Sequence, residues 1–176
     1  MYRVIGLTFV AVVLLVTGSP AQAADAATCD AFAAESVAKA QGVRQFACGY
    51  DLKGPRWTTD RNGLVRWCRA TPKDMVAKEL AQRRGEMKIC QTCYAYAGLA
   101  ADSAADNRKL KCGFTGPRWN DGAAAHFAWC MALRENESAQ GADIAASYKS
   151  IAAKMEISTG PETLERIVQI HECRLP

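Results

Sequence analysis

The chain of 176 residues carries 22 Lys and Arg against 18 Asp and Glu, a net charge of +4. The cations are interspersed with acids rather than gathered into a stripe, which excludes nucleic acid as a first choice of partner and leaves most charges to surface solvation. Eight cysteines, an even number, point to a framework of disulfides if the chain leaves the cytoplasm.

The amino terminus predicts that it does. Residues 1–23 read as a signal peptide: Arg3 gives the positive charge, Val4 to Val16 form the apolar run, and Ser19-Pro20-Ala21-Gln22-Ala23 ends in the small-x-small pattern of a cleavage site. Cleavage after Ala23 removes Arg3 and no acid. The apolar run is short for a membrane helix, and no later stretch is long enough to span a bilayer. Thr28 stands before Cys29 where a lipid-attachment site wants Gly or Ala. The expected product is periplasmic or secreted, with no stable transmembrane segment after cleavage.

The remainder is a tandem duplication. Cys29-x18-Cys48-Gly49-Tyr50, Gly54-Pro55-Arg56-Trp57 and Trp67-Cys68 are matched by Cys93-x18-Cys112-Gly113-Phe114, Gly116-Pro117-Arg118-Trp119 and Trp129-Cys130. The copies are assigned to residues 24–91 and 92–176. Each opens with a helix: Phe32, Ala33, Ser36, Ala40 and Val43 follow Cys29 at the same offsets as Tyr96, Ala97, Ala100, Ala104 and Asn107 follow Cys93. The Gly-Pro pair then interrupts the helix with a loop that carries Arg-Trp. A second helix places Leu64, Trp67 and Cys68, or His126, Trp129 and Cys130, on one face.

The third helix of the first copy is expected to begin near Thr71-Pro72, with Glu79, Arg83, Met87 and Cys90 along it. In the second copy Thr159-x-x-Glu162 fits a capping box, followed by Arg166, Ile170 and Cys173. An insertion after Cys130 carries Ile144, Tyr148, Ile151 and Met155 as an extra amphipathic helix. No strand-like alternation persists. The predicted class is all-α, two tandem disulfide-stapled three-helix repeats, the second with an extra helix.

Helices running up, down and up favour the pairs Cys29–Cys68, Cys48–Cys90, Cys93–Cys130 and Cys112–Cys173, although four cysteines per copy admit three pairings and the sequence leaves the others open. Each such staple is worth roughly 3 to 4 kcal/mol in the chain-entropy model, which matters for a small, alanine-rich core. Cys90-Gln91-Thr92-Cys93 has the spacing of a redox pair, but the duplication explains it as the end of one copy beside the start of the next. Tyr94 stands where haem attachment would require His. The gaps between cysteines do not have the short paired spacing of structural zinc sites.

The string Cys93-x2-Tyr96-Ala97-x2-Ala100, with Asn107, Cys112-Gly113-Phe114, Gly116-Pro117-Arg118-Trp119, His126-x2-Trp129-Cys130 and Arg166-x3-Ile170-x2-Cys173, resembles a cysteine-rich helical repeat of exported, mainly proteobacterial proteins. The resemblance implies secretion and a helical disulfide repeat, and no activity.

The first copy departs from that pattern, with Val43 in place of Asn107 and Leu64 in place of His126. Two readings follow. Asn107 and His126 are hydrogen-bonded structural groups, since a buried polar group without a partner costs about 1 to 3 kcal/mol. Alternatively they line a ligand pocket in the second copy with Arg118 and Trp119. The tryptophans of the two Arg-Trp loops are expected to fold inward, with each arginine capping a helix C-terminus, rather than to present a stacking surface. Glu79 with Arg83 and Glu162 with Arg166 read as helix-surface pairs, and His171 as a residue of a solvated face.

No nucleophile motif, phosphate loop or metal-binding cluster is present, so no catalytic residue, metal or cofactor is assigned. Asn136-Glu137-Ser138 has the form of a glycosylation acceptor, expected to be unused in a bacterial host. The function expected is a binding or interaction module of the cell envelope, contacting an envelope polymer or protein. The alternatives are a small secreted enzyme or enzyme inhibitor built around His126, and a purely structural, stress-resistant protein.

Overall fold

The computed structural model describes residues 22–135 and 144–174. Residues 1–21 of the expected signal peptide and Asn136-Glu137-Ser138 lie outside them, as do the side chains of Ile144, Tyr148, Ile151 and Met155. Five helices follow in order: α1 (Ala26–Gln45), α2 (Arg61–Arg69), α3 (Lys73–Leu110), α4 (Ala123–Glu135) and α5 (Ile144–Arg174), with single 3-10 turns at Pro55–Trp57 and Pro117–Trp119. Among the described residues there is no strand, only an isolated bridge between Ala23 and Pro72. The class is all-α.

Asp25 starts α1 by accepting a hydrogen bond from the Thr28 amide at 2.7 Å, which satisfies one of the donors a helix leaves open at its first turn. The face that α1 buries is Cys29, Phe32, Ala33, Ser36, Ala40 and Val43, the stripe expected from its period. Its end is a tight left-handed turn in which Ala47 has φ 49°, Gly49 has φ 74°, and the Cys48 amide donates back to the Val43 carbonyl at 3.1 Å. The end of α3 repeats this, with Lys111 at φ 60°, Gly113 at φ 80°, and the Cys112 amide donating to the Asn107 carbonyl at 3.1 Å. A glycine after each cysteine is what these positive φ values favour.

Two helix boundaries differ from expectation. The helix ending in Cys90 and the helix beginning at Cys93 are one element, because α3 runs unbroken for 38 residues through the boundary drawn between residues 91 and 92. No Gly or Pro falls between Glu86 and Ala97, and Arg83, Met87, Cys90, Cys93, Ala97, Ala100, Ala104 and Asn107 keep one buried stripe in phase across the junction. Likewise α5 passes through the expected capping box as one 31-residue helix with Pro161 inside it. Thr159 is a buried residue of that helix, not its cap, and the Glu162 carboxylate pairs with Arg118 and Arg166 rather than turning back to an amide. At the start of α3, Pro72 takes the cap position, while the Thr71 hydroxyl donates to the Trp67 carbonyl at 2.7 Å.

Consequently α2 packs on α1, α1 packs on the first part of α3, and α4 and α5 pack on its second part. One cluster holds Phe32, Ala33, Leu64 and Val76. A second holds Ala40, Val43, Trp57 and Met87, and a third Ile89, Tyr96 and Ala100. Phe127 packs against both of the latter and joins them across the middle of α3.

All eight cysteines are paired. Cys29–Cys68 ties α1 to α2, Cys48–Cys90 ties the turn after α1 to α3, Cys93–Cys130 ties α3 to α4, and Cys112–Cys173 ties the turn after α3 to the end of α5. These are the pairs that an up, down, up course brings within reach. Cys90 and Cys93 bond different partners, so they do not form a Cys-x-x-Cys disulfide.

Candidate functional site

Both Gly-Pro-Arg-Trp segments fold into the same 3-10 turn, with proline in its first position, where the missing amide costs nothing. In the first half the turn delivers Trp57 into the core at 3% exposure, stacked on Tyr50 at 5.2 Å. Arg56 does not cap a helix. It grips Glu79 through Nε and Nη2, at 3.1 and 2.9 Å, and reaches Glu86 at 3.2 Å through Nη1. Glu79 also accepts from Arg83 Nε at 2.9 Å. The Arg83 guanidinium is 3% exposed and lies 5.7 Å from the rings of both Phe32 and Trp57. Burial pushes it below its ordinary pKa range, and the Glu79 carboxylate opposes that shift.

The second half builds a similar knot, with Arg118, Glu162 and Arg166 at the positions of Arg56, Glu79 and Arg83, but with Glu165 rather than the counterpart of Glu86 as the second acid. Trp119, half-buried, stacks on Phe114 at 4.9 Å and lies 5.5 Å from the Arg166 guanidinium. Arg118 Nε is 3.0 Å from Glu162, an ion pair without hydrogen-bond alignment, and Nη2 is 2.9 Å from Glu165. The Arg118 contact holds the Glu165 carboxyl below its usual range. Arg166, 1% exposed, donates to Glu162 and to the Arg118 carbonyl.

The four residues singled out in the second copy therefore gather around one turn. The Asn107 amide brackets the Phe114 backbone, donating to its carbonyl at 2.7 Å and accepting from its N–H at 3.2 Å. His126 Nε2 meets the Asn120 carbonyl at 2.6 Å, and the ring stands edge-on to Tyr96. Both residues are 5% exposed. Their polar groups hold the segment 112–122, whose ends flank Arg118 and Trp119.

An open cleft of about 470 Å³ lies in the first half, where Arg56, Thr58, Asp60, Leu64, Trp67 and Arg83 line it. Trp67 was expected on the buried face with Leu64 and Cys68. Those two are buried, but Trp67 is 41% exposed, its inner edge resting on Phe32 at 5.2 Å. Arg83 Nη1 is buried with no hydrogen-bond partner among the described residues.

In the second half the corresponding atom, Arg166 Nη1, donates to the Arg118 carbonyl, a contact that Arg83 Nη1 does not make to Arg56. The copies also exchange Tyr96 for Phe32 at offset 3 from each first cysteine, a difference that sequence comparison left unremarked. The partners of Arg56 and Arg118 gave no local signal, because they lie 23 and 44 residues away.

Elsewhere His171 is exposed in the last turn of α5. Among the described residues no group of His, Cys, Asp and Glu is placed to hold a metal ion, and no helix is long and apolar enough to cross a membrane. Comparison with family models, with curated proteins and with solved structures finds no match.

Proposed function

We propose that the chain is an exported, duplicated, disulfide-stapled binding module of the cell envelope, and that it makes contact through the cleft of the first half. The observation that carries this reading is the cleft itself, with an exposed indole and the paired side chains of Arg56 and Glu79 among its lining. Concave sites with a few convergent polar groups are the usual form of ligand sites, and this volume falls within their range of about 300–1,000 Å³. Four disulfides fit an oxidising compartment, in line with the expected signal peptide. The resemblance to an exported cysteine-rich repeat agrees with this placement. An enzyme built around His126 has less support, since that ring is buried and engaged by the Asn120 carbonyl.

Co-sedimentation of the oxidised protein with peptidoglycan sacculi, outer-membrane lipid vesicles and envelope protein tests the proposal. Saturable binding to one fraction, lost in Trp67→Ala, is the expected result. Binding to none of them overturns it.

A further inference from the structure

We infer that a second pocket, at the joint of the two halves and separate from the first-half cleft, takes an uncharged aromatic ring. This pocket is open on one side and has a volume of about 400 Å³. It is lined by the rings of Phe46, Tyr94 and Phe127 and by small residues of α3 and α4.

The first half shows what the same positions carry when no pocket is formed. Counted from the first cysteine of each copy, Tyr94 and Gly98 stand where the first copy has Asp30 and Ala34. Along the second helix of each copy, Ala123, Ala124 and Phe127 stand where it has Arg61, Asn62 and Val65. There Arg61 donates to Asp30 at 3.2 Å and bridges the start of α2 to α1. In the second half both charges and the long Arg side chain are gone, rings replace Asp30 and Val65, and the space between α3 and the start of α4 is left open.

Gly98 is an independent sign. A glycine inside a helix lowers its stability relative to alanine, because the unfolded chain has more freedom to lose, and it is needed where a neighbour comes too close for a side chain. Among the described residues nothing lies within 4 Å of a Cβ placed at residue 98, and Ala34 shows that the equivalent helical position accepts one. Gly98 belongs to the lining of the pocket. A ligand resting against the backbone of α3 supplies the close neighbour that the fold does not.

The lining selects the chemistry. It holds no charged side chain, so an ionised group taken inside would lose its water without gaining a partner. Phe46 and Tyr94 already meet edge to face with their centroids 4.9 Å apart. A flat ring entering among the three aromatic side chains gains further edge and offset contacts of this kind beyond the burial of its surface. An alkyl chain gains the burial alone and gives up rotational freedom to obtain it. The volume falls within the range of small-molecule sites.

The test is an NMR titration of the oxidised protein, carrying ¹³C-labelled alanine methyl groups, with indole and with 1-hexanol as the probes. Saturable shifts of the Ala97, Ala123 and Ala124 methyl signals with indole are expected, with an affinity for hexanol at least tenfold weaker. Gly98→Leu fills the pocket while giving α3 a better helix former, so it should weaken indole binding at least tenfold and leave the thermal midpoint equal or higher. Should Gly98→Leu fail to fold, Ala124→Asn, the exchange toward the first copy, takes its place with the same loss of affinity expected. No shift with indole, equal affinity for hexanol, or indole binding that the variant leaves unchanged overturns the inference.

Discussion

Single residues in this chain are spent on holding turns, and Asn107 shows how much one side chain does. Its amide satisfies the N–H and the carbonyl of Phe114 together and so fixes the path of the chain into the Gly-Pro-Arg-Trp turn. The first half has Val43 at this position and reaches a similar helix end through the backbone alone, with the Cys48 amide on the Val43 carbonyl. Asn107→Val therefore removes two hydrogen bonds while keeping the shape of the side chain approximately constant. The expected loss is about 2 kcal/mol, read as a lower midpoint in urea unfolding of the oxidised protein, with the denaturant slope unchanged. His126 has the same character at the other end of the segment, where its ring nitrogen meets the Asn120 carbonyl.

At the scale of elements, α1 and α3 are joined by packing and by an ion pair whose acid dependence can be measured. Glu35 accepts from Arg84 Nε and Nη2, both at 2.6 Å, and this contact holds its carboxyl below the usual range. A carboxyl depressed in the folded chain contributes stability above its unfolded pKa of about 4.3, and that contribution fades as pH falls through the folded value. Both side chains are partly exposed, so the pair is worth less than about 1 kcal/mol. Glu35→Gln should lower the unfolding free energy by that small amount at pH 7 and by nothing measurable at pH 3. The helices themselves were legible in the sequence, since the stripes of Phe32 to Val43 and Tyr96 to Asn107 were read correctly at every position. Their fusion was not, because counting repeats suggests a break wherever a copy ends, whereas the apolar stripe runs across that boundary without a change of phase. The stripe from Arg83 to Asn107 held the answer in its unbroken phase. The site was legible only in part: the Arg-Trp turns stood out as motifs, but the acids that engage them and the exposure of Trp67 depend on packing between distant segments.

At the scale of the whole molecule the disulfides divide into three that are sealed and one that is not. Cys29, Cys68, Cys90, Cys93 and Cys130 are fully buried and Cys48 is 2% exposed, whereas Cys112 and Cys173 are both only partly buried. The open bridge closes the longest span, 61 residues, and fastens the end of α5 to the turn after α3, beside the Arg174–Asp106 ion pair. In the chain-entropy model, closing a loop of that size is worth about 4 kcal/mol, which adds to the packing of α5 on α3, and this bridge is the one that a thiolate can reach. Exchange at the other three requires the core around α3 to open first, which costs a large share of the global stability. Graded reduction with dithiothreitol under native conditions, followed by alkylation and peptide mapping, should label Cys112 and Cys173 before any other cysteine. Helix content should fall only modestly at that stage, since α1 to α4 keep their staples, and the second stage should be a cooperative loss as the remaining three bridges go together. Labelling of Cys29 or Cys68 ahead of Cys173 would show that the first half opens before α5 does, and would place the weak point of the molecule beside the cleft instead.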